Sequence, residues 1–573
     1  MKHLLVYFRG NRRDVILAPL FKMLEASFEL LVPYVVASVI DIAIPSGNRS
    51  LILRNFLILV GLGLVGLAAS LTAQFFAARA ATSFAARLRT VVFGKVQSLS
   101  YSQLDSAGNS SLITRLTSDI DQVQTGVNLV LRLFLRSPVV VFGAVIMAYT
   151  VSPSDTVTFA VTVLVLFVIV FGILLFSIPL FKRVQGKLED VMLRVREALE
   201  GVRVIRAFNR QTEEQEAFSA DNSSLTALSR KAQGFSALMN PMTTVVVNMA
   251  IVILLQTGAV RVDGGLLTRG MLVALVNYMS QILVELVKLA NLVITTTKSL
   301  ACADRVADLI NTNEETVPAS ADDLCDGSAV SFDRVSFTYR NSGGPAVSDV
   351  TFSVAQGEHI GIIGGTGSGK STLMKLLPAF YYSGEGTVRV YGKDVCAWNA
   401  KDLRSAIGFV PQKGTLFHGS IRDNMLFAAP EATDEEIEIS LKDAQAWEFV
   451  SQKEGILDHE LAQGGKNLSG GQRQRLLIAR TLLKKPKILV LDDATSALDY
   501  ATEAKLRQAL AAYKDMTVFN VSQRIASVSN SDRIFVMDDG KIVAQGTHKE
   551  LLGSCAAYRE FSSAQSSAEE GNV

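Results

Sequence analysis

A bundle of membrane-crossing α-helices followed by an α/β phosphate-loop domain, which carries an antiparallel β part and a helical part, is the fold class this sequence predicts. Three observations carry it. Six apolar segments of spanning length lie before about residue 298. The run Gly364-Gly365-Thr366-Gly367-Ser368-Gly369-Lys370-Ser371 fills the pattern G-x-x-x-x-G-K-[ST] completely. Further on, Ile488-Leu489-Val490-Leu491 is a short continuous apolar run, as a central strand of a parallel sheet reads, and it ends in Asp492 and Asp493. Composition agrees: 573 residues with 49% apolar content, 19% charge and positive mean hydropathy call for more than one domain and a membrane part. A net charge of +2 without a basic stripe gives no footing for nucleic-acid binding.

The first residues, MKHLLVYFRGNRRD, are basic with a few apolar positions, and no small-residue cleavage site follows at signal-peptide distance. An interfacial elbow helix is expected rather than a targeting peptide. Of the six segments, Phe56 to Ala78, Thr156 to Phe181 and Phe235 to Val260 carry no charge. Val15 to Pro45 and Gly126 to Ser152 are interrupted by a few charges, and Gly270 to Thr297 carries Glu285 and Lys288. The loops near Ser46-Gly47-Asn48, Ser152-Pro153-Ser154 and Asp263-Gly264-Gly265 are short and poor in Lys and Arg. By contrast Arg79 to Gln124 and Lys182 to Lys231 are long and basic. That asymmetry places the long segments, both termini and the phosphate-loop domain in the cytoplasm of a multi-pass plasma (inner) membrane protein.

Phe93 to Leu129 and Leu188 to Phe218 keep helical apolar spacing, so they read as helices continuing past the bilayer, with tips near Ser106-Ala107-Gly108-Asn109-Ser110 and Phe208-Asn209-Arg210-Gln211. In the first segment Lys22, Glu25 and Glu29 share a helix face. They line a cation-accepting path, or Lys22 pairs locally with Glu25 while a neighbouring helix satisfies Glu29. Cys302, Cys325, Cys396 and Cys555 are scattered without C-x-x-C spacing and read as unpaired thiols in a reducing compartment.

Residues 311–328, acidic and Pro/Ser-punctuated, form the expected linker between a membrane domain over 1–310 and a second domain over 329–561. In the latter, Val330 to Tyr339, Val347 to Val354 and Thr387 to Val395 alternate as strands, and Thr415 to Gln463 is rich in helix formers. Residues 562–573 are expected to be a disordered tail. The phosphate loop follows a strand-like His359 to Ile363 and precedes a helix-like Thr372 to Leu377, a context that sets aside a plain glycine turn. Its glycines let backbone N–H groups wrap phosphate oxygens. Lys370 neutralises the outer phosphates, and Ser371 Oγ ligates Mg²⁺ with Asp492 as carboxylate partner.

Leu468-Ser469-Gly470-Gly471-Gln472 separates this chain from other phosphate-loop proteins. With this stretch the sequence resembles the ATP-binding cassette (ABC) family. The likeness extends to Ser496-Ala497-Leu498-Asp499, similar to the family's D-loop, to Gln412, similar to its Q-loop residue, and to Tyr339, placed to stack on adenine. The resemblance is motif-level in the C-terminal third and architectural in the membrane part. It implies half of an exporter, worked by ATP and Mg²⁺, with Gln412 joining Ser371 and Asp492 around the ion and Thr372 beside the phosphates. It implies further that two cassettes meet head to tail, so that each ATP lies between the phosphate loop of one and Ser469 to Gln472, or its equivalent, of the other. The tips of the long cytoplasmic helices resemble the family's coupling helices; a solvated charged face is the alternative.

Two positions depart from the family pattern. Asp493 stands where the family has the Glu that polarises the attacking water, and Gln523 where it has the switch His. Asp is one methylene shorter, and a misplacement of about 1 Å can cost roughly 100-fold. Gln can hydrogen-bond a phosphate oxygen but cannot become a cation. Because both act on one γ-phosphate, a hydrolysis-impaired site is expected, and with it a different partner half-transporter carrying Glu, His and an altered signature. The cargo expected is a small molecule, lipid or peptide. Rival readings are an ATP-gated regulatory or channel-type cassette protein, and a soluble phosphate-loop enzyme, which the apolar spans exclude.

Overall fold

The computed structural model describes residues 2–313, 317, 327–340 and 342–570. It divides into two compact units, Met1–Ser98 with Gly108–Asn313, and Leu99–Ala107 with Glu314–Val573.

In the first unit the apolar segments become six helices long and apolar enough to cross a membrane: Arg12–Ala43, Arg49–Ser98, Asn109–Val151, Thr156–Glu200, Gln211–Asp263 and Arg269–Ile310. At about 1.5 Å per residue the 50-residue helix Arg49–Ser98 is roughly 75 Å long, far more than a hydrocarbon core of about 30 Å, so it runs well into water as its polar second half requires. The expected elbow is a short 3-10 helix, Lys2–Phe8, held by Arg87 on the carbonyl of Tyr7 and by Phe8 stacked on Phe84 at 4.3 Å. Tyr278, Phe159, Leu166 and Leu254 are among the fully buried side chains, and the Tyr278 hydroxyl donates to the Leu30 carbonyl at 2.8 Å.

The acids of the first membrane helix follow the local reading. Lys22 pairs with Glu25, and Glu29 accepts from Arg136 Nη2 at 2.6 Å. Arg136 also pairs with Glu285, which takes the Ser137 hydroxyl at 3.0 Å and Lys288 Nζ at 2.8 Å, so the acid noticed in the last membrane segment is fully engaged. At the opposite end Asp41 accepts from the Gly270 N–H at 2.7 Å and from the Thr268 hydroxyl, closing the first turn of Arg269–Ile310.

The second unit begins with a four-stranded antiparallel sheet and continues into a six-stranded one. In chain order the strands are β1 Ser328–Phe337, β2 Val347–Ala355, β3 His359–Gly364, β4 Glu385–Val390, β5 Lys393–Asp394, β6 Ile407–Val410, β7 Gly419–Ser420, β8 Glu460–Leu461, β9 Ile488–Asp492, β10 Thr517–Val521, β11 Arg533–Asp538 and β12 Lys541–Gly546. The sequence reads Thr387 to Val395 as one strand. The structure breaks it into the hairpin β4–β5, because Tyr391 (φ 50°) and Gly392 (φ 74°) turn the chain back. The six-stranded sheet has the order β12-β11-β3-β10-β9-β6, with only β12 antiparallel to its neighbour. That order sets the carboxyl ends of β3, β10 and β9 side by side. The phosphate loop, Gln523 and the Asp492-Asp493 pair leave from those three ends, where open parallel sheets bind ligands.

One expectation is corrected. The tail read as disordered over 562–573 is helical as far as it is described, within Ala556–Glu570. Tyr558 and Phe561 anchor that helix on the apolar cluster of Ile525, Val528 and Leu551, which local composition does not disclose. The linker read over 311–328, and Cys325 in it, lie largely outside the described residues, while Cys302, Cys396 and Cys555 are free thiols.

Candidate active site

The phosphate loop turns from β3 into the helix Lys370–Leu376. Gly369 is left-handed (φ 92°), and a Cβ there would stand 2.3 Å from the Ala346 carbonyl oxygen, so the turn admits only glycine. Thr366, Gly367, Gly369, Lys370, Ser371, Thr372, Gln412, Asp493 and Gln523 line one cavity of about 240 Å³. Lys370 is 7% exposed, with Nζ donating to the carbonyls of Gly364 (2.8 Å) and Gly365 (2.6 Å). Burial pulls its pKa below the usual lysine value, which a phosphate charge would reverse. Tyr339 stands edge-on to Phe337 and Tyr381, its hydroxyl 3.2 Å from Thr372 Oγ1.

Ser371 Oγ donates to Asp492 Oδ1 at 2.6 Å. Asp492 is 2% exposed, and burial pushes its carboxyl above the usual range against the opposing pull of that hydroxyl. A half-buried hydroxyl in contact with a buried carboxylate is an oxygen pair that suits a hard divalent cation. Asp493, next along, has φ 52°, a left-handed backbone that Asp tolerates better than most residues. Its N–H donates to the Val521 carbonyl at 2.9 Å, and its Oδ2 accepts from Gln412 Nε2 at 2.9 Å. Across the cavity Thr366 Oγ1 donates to Gln523 Oε1 at 3.4 Å.

Ser469, Gly470, Gly471 and Gln472 do not line this cavity. They open the helix Gly470–Leu483 through a capping box. Ser469 Oγ accepts from the Gln472 N–H at 3.2 Å, and Gln472 Oε1 accepts from the Ser469 N–H at 3.1 Å. The cap uses Ser469 Oγ as an acceptor and leaves its O–H to donate. A Cβ on Gly471 would lie 2.9 Å from the Ala497 carbonyl oxygen, so this turn and Ser496 to Leu498 fit only through a glycine. Asp499 caps Tyr500–Leu510, both carboxylate oxygens taking Thr502, and those bonds hold its pKa low.

Sequence reasoning passes over three residues here. Gln474 Oε1 accepts from the Ala497 N–H at 3.0 Å, and Arg524 Nη2 donates to the Ser496 carbonyl at 2.8 Å, so both hold the segment before Asp499. Their adjacency to Gln472 and Gln523 is the one signal the sequence offers for them. Tyr381 donates to Asp105 Oδ2 at 2.6 Å, while Tyr101 stacks on Phe380 at 4.4 Å, so Tyr101–Ala107 packs within the second unit, one ring away from Tyr339. Burial and the Asp105 carboxylate both push the Tyr381 hydroxyl pKa up.

Residues 15–286 match the ABC transporter transmembrane region, and 347–496 the ABC transporter family. An uncharacterised ABC transporter ATP-binding protein of Mycobacterium tuberculosis is 33% identical over 99% of this chain and 98% of its own. An ATP-dependent lipid A-core flippase of Vibrio vulnificus is 30% identical over 80% of this chain and 79% of its own. Among solved structures, a bacterial Atm1-family ABC exporter with ATP bound superposes with a TM-score of 0.80 at 25% identity, covering 97% of this chain and 98% of that one. Six membrane helices, a phosphate loop at the carboxyl ends of a parallel sheet, a capped L-S-G-G-Q turn and these relatives together place the chain in the ABC transporter family, as an exporter-type half-transporter whose ATPase drives transport.

Proposed function

We propose that this chain is one half of a heterodimeric exporter whose own phosphate-loop site holds ATP firmly and cleaves it slowly. The observation that carries the reading is the pair Asp493 and Gln523. Both groups that meet the γ-phosphate are replaced, the first by a shorter carboxylate engaged with Gln412 and the second by an amide that cannot be charged. The binding apparatus beside them is whole: Tyr339 for adenine, the glycine cradle and Lys370 for the phosphates, and the paired Ser371 and Asp492 oxygens for Mg²⁺, with Gln412 in reach of the same cavity. A bound Mg²⁺ supplies charge stabilisation at the phosphate oxygens. Lys370 and the loop N–H groups orient the phosphates, and Asp493 is left as the group that orders water.

In this reading Ser469 to Gln472, intact and correctly capped, serve the ATP held by the partner chain, which carries Glu and His at the catalytic positions and an altered signature. The cassette and both termini lie in the cytoplasm beneath the inner membrane, and the cargo is a small molecule, a lipid or a peptide. Affinity purification of the tagged full chain from its native membrane tests the assembly. A second, different half-transporter in equal amount is the expected result. A stable homodimer with full ATPase would overturn the proposal.

A further inference from the structure

Gln523 is carried by a loop, not by a strand or a long helix, so something must hold it where a phosphate arrives. One side of that hold is Arg524 on the Ser496 carbonyl. The other comes from the far C-terminus. The helix Ala556–Glu570 is fixed by Tyr558, fully buried with its hydroxyl 2.7 Å from His548 Nδ1, in a cluster that includes Ile363, the residue just before the phosphate loop's first glycine. Two turns on from Tyr558, and on the same helix face, stands Gln565. Its Nε2 donates to the Gln523 carbonyl at 2.7 Å, and its Oε1 accepts from the Ile525 N–H at 2.9 Å. That N–H is among the donors that have no partner inside the short helix Ile525–Val528 they open. A single amide thus clips both ends of the tripeptide that presents Gln523.

We propose that Gln565 is a positioning residue of the ATP site, through which the C-terminal helix sets the distance between Gln523 and the γ-phosphate. The proposal rests on Gln523 reading that phosphate, and does not require the site to be slow or the partner to be different. Among the common side chains only Gln and Asn hold a donor and an acceptor on one planar amide, and Asn is a methylene shorter. Gln565→Met keeps the length and loses both bonds. Gln565→Glu keeps the acceptor and sets a carboxylate against the Gln523 carbonyl.

Equilibrium binding of fluorescent Mg-ATP and Mg-ADP analogues to the detergent-purified full chain tests it, because ADP lacks the phosphate that Gln523 reads. Gln565→Met is expected to weaken ATP by about three- to tenfold and leave ADP unchanged. In a Gln523→Ala background the same substitution should add nothing, since the pair acts as one unit. If Gln565→Met does not fold, Gln565→Glu carries the same comparison. Equal loss of ATP and ADP affinity, or full additivity with Gln523→Ala, would reduce Gln565 to a tether of the helix and overturn the proposal. No change in ATP affinity in Gln523→Ala itself would overturn it too, by removing the role of Gln523.

Discussion

Gly471→Asp in this chain is expected to remove most of the ATPase of the assembled transporter, on the order of 100-fold or more, whereas Asp493→Asn in the same chain lowers it far less. The ranking is counterintuitive, because Asp493 sits in this chain's own ATP cavity and Gly471 does not. It follows from head-to-tail pairing. In the proposed heterodimer the signature turn would complete the partner's competent site, while Asp493 would belong to the slow one. The structure adds a second reason for the size of the effect: a Cβ at Gly471 would meet the Ala497 carbonyl oxygen at 2.9 Å, so the aspartate both displaces Ser496 to Leu498 and sets a negative charge where a γ-phosphate must approach. Steady-state ATPase of the two mutant complexes decides the matter. The opposite ranking would assign the competent site to this chain's phosphate loop.

Arg136→Met is expected to be the most damaging single change in the membrane unit. Arg136 and Glu285 are 6% and 3% exposed, and Arg136 holds Glu29 as well. Removing the cation leaves Glu285 with only Lys288 and Ser137, and Glu29 with no cation among the described residues. Breaking a buried pair from one side typically costs about 3–5 kcal/mol. Thermal unfolding of the full chain in detergent should show a midpoint many degrees lower, and Glu285→Gln in the Arg136→Met background should recover part of the loss, since it removes one of the stranded charges. A midpoint within about 2 °C of the parent would mean that water or lipid already satisfies these acids.

Much of this molecule is legible in its sequence, and the features that are not share a common cause. The phosphate loop, the strand ending in Asp492-Asp493 and the spanning segments are local patterns, fixed by glycine, by apolar runs and by charge within a few residues. All appear where the sequence places them, and β3, β9 and β10 bring the phosphate-loop residues Thr366, Gly367 and Gly369 to Thr372 to a cavity shared with Gln412, Asp493 and Gln523, while Ser469 to Gln472 stand outside it. The contacts that sequence reasoning does not find join distant positions through a single side chain: Tyr381 with Asp105, Arg136 with Glu29 and Glu285, Gln565 with Gln523. The helix over the supposed tail is the plainest case. Its serines and glutamates read as unstructured, and only Tyr558 and Phe561 against a cluster nearby in space reveal why it folds. The hairpin at Tyr391-Gly392 escapes for the opposite reason, a purely local positive-φ turn hidden in an alternating run.

The proposal stands or falls on whether this chain's ATP site holds ATP firmly and cleaves it slowly. Mixing the assembled transporter with a stoichiometric amount of labelled Mg-ATP and following the bound label through a single turnover tests it most directly. One of two nucleotides should persist as ATP while the other becomes ADP, and Asp493→Glu with Gln523→His should make the persistent one hydrolyse about 10- to 100-fold faster. Loss of both nucleotides at one rate, or a persistent ATP that the double substitution leaves unaltered, would contradict the account.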